Sequence, residues 1–485
     1  MRESDEYDVI VIGAGAVGEN VADYAVRGGL TAAIVENELV GGECSYWACM
    51  PSKALLRTPQ AVAAARRLPG VNADFDPEAV LVRRDEIASH WHDDSQLRWA
   101  EGAGIAVVRG TARLSGARTV TVTDPDGGER TLRARHAVAV CTGSVPVTPP
   151  IPGLDEVRLW HSREATSAHQ VPARLGVLGG GVVGVELAQA WAALGSRVTL
   201  LVRDPHVLMA LEPIAGELVA NGLRASGVDL RLETGLDSVK SGTARGAAAG
   251  ETIETIELRV GDETVVVDEL LVATGRRPRT TGLGLADFGL AEDRALEVDD
   301  SGQVLGVDPV HGSGWLYAAG DVTGRAPLTH QGKYAARIAG AAIAARARGN
   351  VATPVAWSEY AATADHHAVP QVVFTDPQVA AVGRTAEQAA AEGLTVRTVD
   401  LDIAVAGSYV HAVDYTGRAR MVVDTEREVL VGLTFVGPDV AEMLHAATIA
   451  VVGEVPLSRL WHAVPAYPTI NEVWLRLLEA YRAKS

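Results

Sequence analysis

An apolar run over residues 7–12 (YDVIVI) opens the chain and predicts a short buried strand. Gly13, Gly15 and Gly18 follow in the order G-x-G-x-x-G, then a helical pattern over 20–28 and a second apolar strand over 31–35 that ends in Glu36. The same pattern returns further on. Residues 175–178 read as a strand, Gly179, Gly181 and Gly184 repeat the glycine spacing, and 197–202 is again apolar. Between the repeats, 58–67 and 84–102 read as helices. Residues 105–110, 119–123 and 130–134 alternate with period two around a turn at 124–128, and 137–141 is a buried strand. The proline-rich stretch 146–153 reads as a linker. After the second repeat come strands over 265–273 and 316–319, a helix over 334–348 and a linker near 350–354. The last region changes character. Strands over 371–374, 393–400, 419–423 and 429–436 suggest an antiparallel sheet, followed by helices over 441–452 and 471–481. The pattern predicts an α/β protein with two Rossmann-like nucleotide-binding domains and a C-terminal α+β domain.

The glycines permit a tight turn after the strand and let a pyrophosphate approach the helix N-terminus. Glu36 lies 23 residues after Gly13, where a carboxylate can bind a ribose hydroxyl. The equivalent position of the second repeat is Val202, followed by Arg203. A carboxylate there would repel a 2′-phosphate and an arginine attracts one, so the second site leans towards NADPH over NADH. Arg203 as a solvated surface charge is the plain alternative.

Charge narrows the partners. The 485 residues carry a net charge of −18, which argues against nucleic acid and anionic lipid surfaces. No apolar run approaches membrane-spanning length; the alanine-rich stretch 334–349 is broken by Arg337, Arg346 and Arg348. The N-terminus, MRESDEYDVI, has no basic segment leading into an apolar core, so a cytoplasmic protein is expected. Only Cys44, Cys49 and Cys141 occur, which suits a reducing compartment and is no disulfide scaffold.

Cys44 and Cys49 sit in the stretch GGECSYWACMPSK, residues 41–53. Five positions apart, their sulfurs can meet across a distorted helical turn. A ring so small restrains little of the unfolded chain and adds little stability. Two buried free thiols is one reading. A redox couple is the other, favoured by the nucleotide fingerprint upstream.

Taken together, these motifs resemble those of the FAD-dependent pyridine nucleotide–disulfide oxidoreductases, the family of dihydrolipoamide dehydrogenase, glutathione reductase and mercuric reductase. GAGAVG with Glu36 resembles the FAD fingerprint, GGECSYWACMPSK the redox-disulfide motif and GGGVVGVE the nicotinamide-nucleotide fingerprint. CTGSVPVTPPIPG and VATGRRP resemble two strand-end Thr-Gly motifs, LYAAGD the flavin-ribityl motif and VPQVVFTDPQVAAVG the start of a dimerisation domain. The resemblance implies FAD held by Gly13, Gly15, Gly18, Glu36, Gly42, Ala112, Thr142, Gly143 and Asp321, and a nicotinamide nucleotide held by Gly179, Gly181, Gly184, Arg203 and Gly275. It implies an FAD domain in two parts (1–150 and 273–350), an NAD(P)H domain over 151–272 and a dimerisation domain over 351–485 that pairs two copies. Electrons would pass from NAD(P)H through FAD to Cys49 and Cys44, with Lys53 paired to Glu186 near the flavin and Cys44 meeting a small-molecule oxidant. No metal cofactor is implied. Cys141 reads as an inert buried thiol.

The departures bear on which oxidant is used. Relatives that reduce thiol disulfides carry a His-Pro near the C-terminus, with a Glu beyond it. Here the aligned residues are Tyr467-Pro468-Thr469 and then Glu472. A tyrosine titrates near ~10 and is a poor base at neutral pH. Mercuric reductase has a tyrosine near this place but ends in a cysteine pair, and this chain ends EAYRAKS. The expected activity is reduction of a disulfide, a thiol-bound electrophile or a metal ion. A quinone or dye reductase working directly from the flavin, a divergent dihydrolipoamide dehydrogenase and a non-catalytic flavoprotein are the alternatives.

Overall fold

The computed structural model describes residues 5–245, 252–312 and 314–483. Its chain contacts divide it into two compact units, each assembled from discontinuous stretches. The first comprises Met1–Met50, Asp85–Pro146 and Arg276–His366; the second comprises Pro51–Arg84, Val147–Gly275 and His367–Ser485.

A seven-stranded sheet organises the first unit. Ile105–Arg109, Ala32–Glu36, Glu6–Ile12 and Glu129–Val140 lie side by side in parallel, and Leu316–Ala318 joins the far side of Glu129–Val140. The front half of Glu129–Val140 also pairs antiparallel with Thr119–Thr123, which pairs with Thr111–Gly116. One strand therefore covers two segments that the sequence divides at Arg135-His136. The polar residues there do not end the strand, because Arg135 lies exposed and bonds to Asp8. The helix Ala16–Arg27 begins directly after Gly15 and buries Val21, Ala22 and Ala25 against the sheet. Its first turn carries no apolar periodicity, which is why the sequence places its start four residues late.

The expected helix over 84–102 is three pieces: Pro77–Ile87, the 3₁₀ turn Ser89–Trp91 and Asp94–Gly102. Ser89, His90 and Trp91 all have left-handed backbones, with φ of 51°, 49° and 57°. Each non-glycine residue in that region costs about 1–3 kcal/mol. The stretch 146–153 is likewise not all linker, since Ser144–Pro146 pairs antiparallel with Arg276–Pro278.

The second unit repeats the nucleotide fold. Asp229–Arg231, Arg197–Leu201, Arg174–Leu178 and Glu269–Val272 form a four-stranded parallel sheet. The repeat extends to single hydrogen bonds. Gly13 N donates to Val35 O at 2.8 Å and Gly179 N to Leu201 O at 2.9 Å; Cys141 N donates to Ile12 O and Ala273 N to Leu178 O, both at 2.8 Å. A three-stranded antiparallel sheet, Ser238–Arg245, Thr252–Val260 and Glu263–Val267, packs beside it. The C-terminal region is a five-stranded antiparallel sheet in the order Pro370–Val373, Gln378–Gly383, Val429–Gly437, Arg418–Asp424 and Val396–Asp402. Val429–Gly437, buried at every position, is its centre. The helices Leu444–Val452 and Glu472–Ala483 follow.

Arg84 is fully buried in this unit. Its guanidinium donates to Thr166 O at 2.5 Å and Ala168 O at 2.9 Å, closing the carbonyl end of the helix Ser162–Ser167. Arg84→Ala would leave those carbonyls without the charged donor. It is expected to cost on the order of 2–4 kcal/mol, read as a lower urea midpoint; an unchanged midpoint would contradict the role.

Candidate functional site

The first glycine cradle is set by backbone contact. A Cβ on Gly13, whose φ is +97°, would lie 2.5 Å from Cys141 O, and a Cβ on Gly18 would run into Gly13 O. Those two glycines are demanded by the fold itself. Gly15 differs: its nearest neighbour would be Gly42 Cα at 3.8 Å, so its space is left free on the ligand side. The second cradle behaves alike. Gly179 and Gly184 are crowded by Ala273 O and Gly179 O, whereas Gly181 meets nothing within 4 Å. Crowded first and third glycines around an open second one fit a pyrophosphate at each helix N-terminus.

Around the first cradle, Glu36 accepts from Ala14 N through Oε2 and from Glu38 N through Oε1, both at 2.8 Å. The carboxylate is thereby fixed at the end of its strand. Ala112 lies buried in Thr111–Gly116. Thr142 Oγ1 donates to Arg279 O at 2.5 Å, and Gly143 O accepts from Arg279 N at 2.9 Å. Asp321 opens a 3₁₀ turn and accepts from Ser144 Oγ at 2.6 Å. Ser144 accepts in turn from Arg276 Nε at 2.8 Å, and Arg276 Nη2 reaches Glu43 Oε2 at 2.7 Å. Glu43 adjoins Cys44, so one chain of hydrogen bonds runs from the cysteine turn to Asp321. Glu43, Ser144 and Arg276 were not singled out from sequence; no spacing rule links positions so far apart.

Glu19, in the first turn of Ala16–Arg27, was missed as well. Burial pushes its carboxyl up to about 7, against the opposing charge of Lys333 and with the help of Glu36. Its Oε1 is buried with no hydrogen-bond partner among the described residues. An orphaned acid at the head of the cradle is a position that a bound dinucleotide can satisfy.

Cys44 lies in the five-residue helix Gly42–Tyr46, and Cys49 begins the helix Cys49–Arg66. Both are thiols, each partly exposed. The hydrogen bond to Cys49 is the largest cause raising the Cys44 thiol well above its ordinary range, with burial second; Thr329 and Lys333 oppose it. Thr329 Oγ1 lies 3.3 Å from Cys49 Sγ. Cys141 is buried and pushed up to about 12, as an inert thiol should be.

In the second unit Lys53 Nζ bonds to Glu186 Oε2 at 2.7 Å, and Glu186, only 2% exposed, accepts from Phe374 N through Oε1 at 2.8 Å. Lys53 Nζ also lies 5.0 Å from the centre of the Phe374 ring. The ion pair is thus held by two further contacts. Val202 is buried and Arg203 exposed beside the second cradle, with Gly275 at φ +140° and open space around it. Tyr467 is 77% exposed, and Glu472 starts the last helix with Oε2 buried and unpartnered among the described residues.

Two dinucleotide cradles and a thiol pair in contact define a flavin- and nicotinamide-dependent oxidoreductase. The chain belongs to the pyridine nucleotide–disulphide oxidoreductases: that family's model matches residues 7–345, and its dimerisation-domain model matches 369–477. Among its relatives, the mercuric reductase of Acidithiobacillus ferrooxidans is 31% identical over 97% of this chain and 82% of its own length. The dihydrolipoyl dehydrogenase of Chlorobaculum tepidum is 31% identical over 97% of each. Among solved structures, the HOCl-induced flavoprotein disulfide reductase RclA from Escherichia coli superposes with a TM-score of 0.79 at 25% identity, over 98% of this chain and 99% of its own. The protein is an FAD-dependent oxidoreductase, and FAD and NAD(P)H are the cofactors of its family. No helix among the described residues is long and apolar enough to cross a membrane.

Gly18→Ala tests the first cradle. The added carbon meets a backbone oxygen that cannot turn aside, so the variant is expected to lose most of its bound FAD, read as the ratio of 450 to 280 nm absorbance; full flavin retention would contradict the packing account.

Proposed function

We propose that this enzyme passes electrons from NADPH to Cys44 and Cys49, and from Cys44 to a thiol-bound electrophile or a thiophilic metal ion rather than to a free disulfide such as lipoamide. The observation that carries the reading is Tyr467, followed by a Glu472 carboxylate oxygen with no partner among the described residues. In a His–Glu pair that carboxylate would orient the base. A dithiol that reduces a disulfide must expel a thiolate, and the departing sulfur needs a proton nearby. Tyrosine can donate at neutral pH but does not readily take the first proton. The likeness to mercuric reductases supports a metal ion among the oxidants.

Bound FAD would supply the two-electron relay between a nicotinamide hydride and a dithiol. Gly13, Gly15, Gly18, Glu36, Gly42, Ala112, Thr142, Gly143 and Asp321 are proposed to hold it. Gly179, Gly181, Gly184, Arg203 and Gly275 are proposed to hold the nicotinamide nucleotide. Glu186 holds the Lys53 ammonium in place at 2.7 Å, and a cation fixed there favours negative charge developing near it. Cys49 takes electrons first and Cys44 meets the oxidant. The dimerisation domain supports a homodimer in which Tyr467 and Glu472 serve the partner's thiols. The functional divisions 1–150, 151–272, 273–350 and 351–485 go with this reading.

The test is anaerobic reduction by NADPH followed by a screen of disulfides, mercuric ion and quinones. General acid–base help is worth about a hundred- to ten-thousand-fold in rate. Lipoamide and glutathione disulfide are therefore expected to turn over poorly although NADPH reduces the protein normally, and Tyr467→His is expected to raise that turnover. Wild-type turnover of lipoamide as fast as reduction by NADPH would contradict the reading. Arg203→Glu is expected to move preference from NADPH towards NADH; stopped-flow traces in which wild type already prefers NADH would reverse the assignment.

A further inference from the structure

The helix that carries Cys44 is held from outside by residues 89–96. Trp91 Nε1 donates to Tyr46 O at 3.1 Å, at the end of that helix. Asp93 Oδ2 accepts from Val40 N at 2.8 Å, just before its start. The Tyr46 hydroxyl donates to Val40 O at 3.0 Å and lies 3.5 Å from His92 O. Tyr46 is 1% exposed, and its ring packs edge-on against Trp47. The three left-handed residues Ser89, His90 and Trp91 form the turn that brings this indole in. Backbone strain of that kind persists only where the surroundings fix it, and here they are the redox turn.

We propose that Trp91 is a positioning residue for the redox couple: by fixing the Tyr46 carbonyl it holds Cys44 beside Cys49 and so sets the balance between dithiol and disulfide. The proposal rests on the reading that Cys44 and Cys49 form that couple. Oxidation joins the two sulfurs and releases two protons and two electrons, which glutathione disulfide takes up to become two glutathione thiols. A helix of five residues does not hold its own shape. The more firmly its carbonyl end is fixed, the higher the effective concentration of one sulfur at the other, and the more the disulfide is favoured. Loosening the turn therefore makes the disulfide easier to reduce.

The experiment equilibrates FAD-loaded wild type and Trp91→Phe in glutathione buffers of graded ratio, then alkylates free thiols and weighs the protein. Trp91→Phe keeps an aromatic ring, though a smaller one, and removes the N–H. It is expected to keep its flavin and to form the Cys44–Cys49 disulfide with an equilibrium constant about tenfold smaller, a potential about 30 mV more positive. Tyr46→Phe removes a second bond of the same clamp and is expected to shift the constant in the same direction, so it carries the test if Trp91→Phe does not fold. Constants within about twofold of wild type, in folded flavin-bound protein, would overturn the proposal. A wild type that forms no disulfide even in the most oxidising buffer would overturn it differently, by removing the couple on which it rests.

Discussion

Cys44 sits on a helix too short to stand alone, and everything chemical in the first unit depends on how that helix is held. A single turn closes too few internal hydrogen bonds to offset the ordering of its residues. Its position is imposed from two directions. Ahead of it, Gly41 N donates to Ala14 O at 2.7 Å, and Gly41 bridges to Gly15, so the cysteine turn is built onto the nucleotide cradle. Around it, Asp93, Trp91 and the Tyr46 hydroxyl close the remaining groups. The cradle and the thiols are thereby parts of one backbone arrangement.

The two nucleotide folds show what is structural in the fingerprint and what is functional. In both, the first and third glycines are crowded by backbone oxygen and the second stands open. The packing of strand against helix therefore demands two of the three glycines whether or not a ligand binds. The functional information lies in the open glycine and at the end of the second strand, where Glu36 and the pair Val202-Arg203 part company. In the proposed assignment that difference acts through electrostatics, because a fixed carboxylate and an exposed guanidinium favour different ribose substituents.

Much of this was legible in the chain. Apolar strands, glycine spacing and Glu36 mark the first repeat, and the pairing of Lys53 with Glu186 expected from resemblance is present at 2.7 Å. What was not legible shares a physical cause. The left-handed turn at Ser89–Trp91 uses ordinary helix-compatible residues, and its contact with the Cys44 turn joins segments far apart in the chain. The strand Gln378–Gly383 hid because small alanines blur its alternation, although it pairs along its whole length with Val429–Gly437. Glu43, Ser144, Arg276 and Asp321 form a hydrogen-bonded chain drawn from four distant segments, which no local pattern announces. Glu19 precedes the helix expected over 20–28, and burial beside Glu36 gives it a character that no spacing announces.

The central claim is that the thiols of Cys44 and Cys49 are a working electron store in series with the flavin. Stoichiometry tests it most directly. NADPH is added anaerobically to the oxidised, FAD-loaded protein while flavin absorbance is followed, and the thiols are alkylated and located by mass at each point. The account predicts that full reduction consumes two hydride equivalents per flavin, with Cys44 and Cys49 becoming alkylatable at the first equivalent. Complete flavin bleaching by a single equivalent, with the two cysteines unchanged, would contradict it and leave the pair a spectator.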